Sequence, residues 1–354
     1  MTGLLARQQI QHLIDMSAIG FDQPLAEGQV QPASLDLRLG PVAYRVRASF
    51  LAGTGRSVAA RIEEFGMHEI ALDGGAVLEK GCVYVVPLLE HLSLPPHISA
   101  IANAKSSTGR LDLLTRVIIN EGVEFDRIAL GYTGPLYAEI CPRSFSVLAR
   151  TGMRLNQIRF RDGQSVLSDA ELQDLDRASA LVDGTATIAG GLAFSVDLEP
   201  AHGQPAGWRA KPHAGVIDLD RIGQHDPAEF WEAVPARNGR MILDPGAFYI
   251  LVSREAVHIP PDYAAEMAPY LAMVGEFRVH YAGFFDPGFG HGTPARGVLE
   301  VRCHESPFLL EHGQIVGRLI YERMSERPDV LYGTDIASNY QGQGLKLSKH
   351  FKTP

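Results

Sequence analysis

Cysteine is scarce: Cys82, Cys141 and Cys303 are the only three in 354 residues. An odd, widely spaced set without a Cys-x-x-Cys pair excludes a disulfide framework and a structural zinc site of the usual spacing. Such thiols are expected to be packed inside a cytoplasmic protein. No run of 18 apolar residues occurs, which excludes a helical membrane span, and no secretory leader is visible. Positive charge is in deficit, with 32 Lys and Arg against 41 Asp and Glu and a formal charge of -9. Nucleic acid polymers, which need a basic face, are therefore not expected as partners, whereas one nucleotide needs only a local cluster of donors. Glycine and proline are plentiful instead, at 36 and 22 residues, as in chains with many turns between short strands.

The chain repeats itself. Lys80-Gly81-Cys82-Val83-Tyr84-Val85-Val86, leading to Pro95-Pro96, aligns with Pro245-Gly246-Ala247-Phe248-Tyr249-Ile250-Leu251, leading to Pro260-Pro261, at one offset of 165. Gly122–Asp126 aligns with Ala282–Asp286, Tyr137–Ile140 with Val298–Val301, and Leu155–Phe160 with Val316–Tyr321, as the offset drifts to about 160. Collinear blocks of this length indicate a duplicated domain rather than a solenoid unit. The expected division is a first domain over 1–165, a linker with a short helix over 166–190, and a second domain over 191–354. Ser168-Asp169-Ala170-Glu171 reads as a capping box, and Asp226-Pro227-Ala228-Glu229 as a second helix start. Near the N-terminus Leu5, Ile10, Leu13 and Ile14 outline an amphipathic helix. Elsewhere short apolar runs alternate with turns, the pattern of antiparallel sheets in a sandwich, jelly roll or barrel.

Lys105-Ser106-Ser107-Thr108-Gly109-Arg110 puts two cations and three hydroxyls into six residues, the donor mix that polyphosphate needs. Its plainer reading is a polar turn capping a helix at Leu111–Leu114. Glu139 lies in the apolar run Leu136–Ile140; a buried carboxylate there would have a raised pKa, and an outward-facing one would be ordinary. Glu300 repeats the arrangement in Val298–Val301. Asp286-Pro287-Gly288 reads as a turn, and Asp126 with Gly131-Tyr132-Thr133-Gly134 as a looser version of it. The stretch Asn339–Lys346 is either a polar tail or a lid.

These residues carry a resemblance. Lys105–Arg110 resembles the Ser-Ser-x-x-Arg motif of the dCTP deaminases, and Gly131–Gly134 followed by Glu139 is similar to that family's hairpin and glutamate. Ala33-Ser34-Leu35-Asp36-Leu37-Arg38-Leu39-Gly40 is similar to its N-terminal signature, and Tyr340-Gln341-Gly342-Gln343 to its closing segment. The resemblance implies a mainly β protein of two tandem dUTPase-like domains, β-barrel or jelly-roll, with a few short helices. It implies assembly as a homo-oligomer with trimeric or pseudo-trimeric packing, and conversion of dCTP and water to dUTP and ammonia. Carried over by position, Glu139 is the general base, Ser106 and Arg110 position the water and stabilise charge, and Lys105 and Ser107 contact the triphosphate. Asp126 lies near the deoxyribose, and Tyr340, Gln341 and Gln343 close over the nucleotide. Mg²⁺ would enter only with the triphosphate. Zinc is not expected, because none of the 13 histidines is followed two residues later by Glu and Cys-x-x-Cys is missing.

The second half departs from the motif: Tyr270–Gly275 stands where the first half has Lys105–Arg110. It either serves as a structural partner or donates Glu300 or Asp286 to a composite site. Two other functions remain open at this point. Asp126 and Asp286 beside aromatic-glycine hairpins suit a dUTP diphosphatase or a bifunctional enzyme, and a decayed second copy suits a non-catalytic nucleotide-binding module.

Overall fold

The computed structural model describes residues 2–268, 277–280, 283–333 and 344–353, with 277–280 as backbone only. Among them the chain is mainly β, with five short helices. It forms two compact units. The first contains Met1–Ser165, Gly215–Ile222 and Met324–Asp329; the second contains Val166–Ala214, Gly223–Arg323 and Val330–Pro354.

In the first unit one sheet runs Gly3–Leu4, Arg154–Asp162, Ile98–Ala104, Arg127–Ile128, with Leu35–Arg38 also pairing with Arg154–Asp162. A second sheet runs Gly66–Ala71, Val42–Val46, Val83–Ser93, Thr133–Pro142, Leu113–Ile119. In the second unit the strands Trp231–Val234, Gly207–Ala210, Phe248–Val257, Ala295–Cys303 and Phe277–His280 form the matching sheet. Its core holds Phe194, Tyr249, Leu251, Leu299, Val301 and Tyr321, all buried.

The duplication extends to single hydrogen bonds. The Tyr84 hydroxyl accepts from the Glu79 N–H at 3.0 Å, and the Tyr249 hydroxyl from the Asp244 N–H at 2.9 Å, each closing the turn before its strand. Gly81 and Gly246 occupy those turns at φ +79° and +72°, a region open to glycine at no steric cost. Each donates to the strand that later carries the glutamate: Gly81 to the Pro142 carbonyl, Gly246 to the Cys303 carbonyl.

Local signals are realised as helices. Ser168 caps Asp169–Ala178, its Oγ accepting from the Glu171 N–H while Glu171 returns to the Ser168 N–H. Asp226 caps Pro227–Phe230. The N-terminal helix is shorter than the apolar spacing suggests, spanning Arg7–Asp15, because Gly3–Leu4 pairs as a strand with Arg161-Asp162. The helix at Leu111–Leu114 does not form. One helical turn covers Ser106–Gly109, Asp112 takes φ +53°, and a strand starts at Leu113. The β-branched run Val117-Ile118-Ile119 favours that strand over a helix.

Candidate active site

Glu139 sits mid-strand in Thr133–Pro142, opposite Val85 on one side and Arg116 on the other. Its side chain is 1 % exposed. A carboxylate this dry needs partners for both oxygens. The Arg116 guanidinium donates to Oε1 through Nη2, and through Nε at 3.2 Å. The Ser49 hydroxyl donates to Oε2 at 2.6 Å and accepts from Arg116 Nη2 at 3.2 Å. Carboxylate, guanidinium and hydroxyl thus close a ring; Oε1 is filled by its two Arg116 donors, and Oε2 keeps a lone pair for a further donor.

The next residue along serves a second acid. The Val117 N–H donates to Asp126 Oδ1 at 2.7 Å, and Asp126 takes a left-handed φ of +63°. Loss of water pushes the Asp126 carboxyl up to about 7; the Val117 N–H and the Arg116 charge oppose this, and the Glu139 charge adds to it. The residue as a whole is only partly buried, so the dry environment is local to its carboxyl end. Between the two acids the Arg116 guanidinium lies 3.5 Å from the centre of the Phe125 ring. Sequence reasoning missed Arg116 and Ser49. A lone cation in the apolar run Leu113–Ile119 was the available signal for Arg116, since such a charge needs a counter-charge; Ser49, in an exposed loop, carried none.

The Lys105–Arg110 segment follows the strand Ile98–Ala104. Its single turn is closed by the Thr108 and Gly109 N–H groups on the Lys105 carbonyl, and Ser107, Thr108 and Arg110 are buried. Lys105 is ion-paired with Asp36, the acid of the N-terminal signature, and Arg154 approaches the other Asp36 oxygen at 3.6 Å. The arginine of that signature has its own partner: Arg38 donates through Nε to Glu90 Oε1 at 2.8 Å and through its backbone N–H to Oε2 at 2.7 Å. Gln29 adds a third bond to Glu90 at 2.7 Å. Burial raises the Glu90 pKa against these donors. The signature therefore ties Lys105 and Glu90 to one strand.

Glu139, Asp126 and the Lys105–Arg110 turn belong to the first unit, and Glu300 and Asp286 to the second. Glu300 is buried in the strand Ala295–Cys303, and its backbone register places it opposite Ile250 and His280, as Glu139 stands opposite Val85 and Arg116. Asp286 is buried at the head of a turn with Gly288 at φ +92°. Tyr340, Gln341 and Gln343 lie outside the described residues, as does all of Tyr270–Gly275. Among the described residues no group of three or more His, Cys, Asp or Glu could hold a metal. A cleft of about 420 Å³ opens in the first unit beside Tyr44, Ile62, His68 and Tyr137, the last two positions before Glu139 on its strand.

The fold is dUTPase-like and present twice, with a carboxylate set into the central sheet of each copy. The chain belongs to the 2'-deoxycytidine 5'-triphosphate deaminase family: residues 1–164 match that family's N-terminal domain and 168–351 its C-terminal domain. The crystal structure of 2'-deoxycytidine 5'-triphosphate deaminase from Agrobacterium tumefaciens superposes with a TM-score of 0.89 at 55 % identity, covering 93 % of this chain and 99 % of that one. Two similar proteins are named dCTP deaminase, dUMP-forming. The one from Beutenbergia cavernae is 30 % identical over 41 % of this chain and 65 % of its own length. The one from Tropheryma whipplei is 34 % identical over 49 % of this chain and 88 % of its own. The chain thus spans just under two thirds of the first relative and most of the second.

Proposed function

We propose that the chain deaminates dCTP, water replacing the C4 amine to give dUTP and ammonia, with Glu139 as general base and no zinc. The observation that carries the reading is the dry Glu139 carboxylate, hydrogen-bonded at both oxygens yet with a lone pair left on Oε2 to take a proton. In this scheme Glu139 takes one proton from water as the oxygen attacks C4 and passes it to the ring nitrogen. It then takes the second from the new C4 hydroxyl and passes it to the amine, which leaves as ammonia as the C4–N bond breaks and the C4 carbonyl forms. Ser106 and Arg110 orient the water and meet the developing charge. Lys105 and Ser107 bind the triphosphate, and Asp126 the sugar. Mg²⁺, which prefers hard oxygen ligands, would enter with the substrate, held through its phosphate oxygens. The relatives' likeness and the family membership support a nucleotide as partner.

A second reading continues to dUMP and pyrophosphate. It is favoured by the names of the 30–34 % identical relatives and by Asp126, whose carboxyl near pH 7 has a pKa suited to activating a second water. Incubation of the purified chain with dCTP and Mg²⁺ tests both. Ammonia without pyrophosphate supports simple deamination, equal yields of ammonia and pyrophosphate support the second reading, and neither product contradicts both.

A further inference from the structure

The geometry points to Arg116 as a positioning residue that ties the Glu139 carboxylate to the Phe125-Asp126 hairpin, with Ser49 as its helper. This rests on the reading of Glu139 as the base. Three observations converge on the pair Arg116-Val117. The Arg116 side chain forms the ion pair with Glu139. Its guanidinium face lies on Phe125, 3.5 Å from the ring centre, which fixes its plane. The following N–H holds Asp126. One dipeptide therefore sets the place of the water-activating group and of the acid on the sugar side. The groups facing Glu139 are Arg116 from the adjacent strand, Ser49 from the loop, Asp126 from the hairpin and the Cys141 thiol two positions along its own strand; the other strand neighbour, Val85, is neutral. Arg116 is the positive member of this set, and its side chain is 28 % exposed, so it is held by these contacts rather than by burial.

The guanidinium fork directs the lone pairs of Glu139, a geometry an ammonium cannot reproduce. Its loss leaves a buried carboxylate with the Ser49 bond to orient it. Turnover should suffer and substrate binding should not, because the contact is to the base and not to the nucleotide.

The test is steady-state kinetics of the full chain with dCTP, read as kcat and KM separately and as a function of pH. Arg116→Met should lower kcat by roughly 10²-fold with KM changed less than about threefold, within the range for a misplaced general base. The acid limb of its kcat profile should move to higher pH, because the opposing charge has gone. Arg116→Lys should recover about a tenth of the wild-type kcat and restore the acid limb, separating charge from geometry. Phe125→Leu should lower kcat about fivefold, and the Arg116→Met/Phe125→Leu pair should be no slower than Arg116→Met alone, within about twofold. If Arg116→Met does not fold, Arg116→Lys and Phe125→Leu carry the same test. A wild-type kcat in Arg116→Met or Arg116→Lys, or a loss confined to KM, overturns the inference while Glu139→Gln stays inactive. Activity in Glu139→Gln would instead remove the base assignment itself.

Discussion

Asp36 and Lys105 form an ion pair that joins the N-terminal signature to the first residue of the Ser-Ser turn. The two residues are 69 positions apart in the chain, and the pairing of Leu35–Arg38 with Arg154–Asp162, itself paired with Ile98–Ala104, brings them together. Asp36 is buried, whereas 22 % of the Lys105 side chain is exposed.

That asymmetry sets the expected cost of breaking the pair. In Asp36→Asn the ammonium can turn to water, so the loss should fall near the low end of a charged hydrogen bond, about 1.5 kcal/mol. Urea denaturation should show this, and KM for dCTP should rise as Lys105 loses its orientation. An unchanged denaturation midpoint would show that the pair does not contribute to stability.

Asp126 should make stability depend on pH. Its carboxyl is raised from 3.8 to about 7 in the folded chain. A raised acid is favoured protonated, so its contribution is fully present below about pH 4 and is lost as pH rises towards 7. The shift of about 3 units corresponds to at most about 4 kcal/mol. Asp126→Asn, which keeps an acceptor for the Val117 N–H, should match the wild type near pH 4 and unfold at a higher temperature than it at pH 8. A stability gap that does not grow between those pH values would contradict the burial of this carboxyl.

The duplicated tyrosines offer a matched pair of measurements. Tyr84→Phe and Tyr249→Phe each remove the acceptor for one turn N–H, at Glu79 and Asp244. Both donors belong to exposed residues that water can reach, so each change should cost about 0.5–1 kcal/mol. Tyr249 also contacts the Asp244 carboxylate at 3.4 Å and should sit at the upper end. Chemical denaturation of the two variants reads this directly, and a cost for one alone would show that the turns are not equivalent.

How much was legible follows from the range of each interaction. The repeat was readable because a glycine turn, an apolar strand and a Pro-Pro pair recur at a fixed spacing. The caps at Ser168 and Asp226 were readable because a cap acts over three residues. Glu139 was readable as a carboxylate in an apolar run, though not whether it faced inwards. The Arg116 pairing was not readable: it depends on the register of two strands joined by a 13-residue connection, Asn120–Tyr132, and a one-residue slip would turn Arg116 to the other face. Ser49 reaches Glu139 from a loop 90 positions earlier, where no periodicity exists to read. The plainer reading of Lys105–Arg110, a turn capping a helix at Leu111–Leu114, did not hold because the residues beyond it, Val117-Ile118-Ile119, commit the segment to a sheet.

The most direct measurement is ammonia release from dCTP by Glu139→Gln beside the wild type, with thermal unfolding and dCTP binding measured on the same samples. The amide keeps the shape and the Ser49 contact but cannot take a proton from water. The account predicts a loss of at least about 10³-fold in kcat with dCTP still bound. Turnover at the wild-type rate in a folded, dCTP-binding Glu139→Gln chain would contradict it.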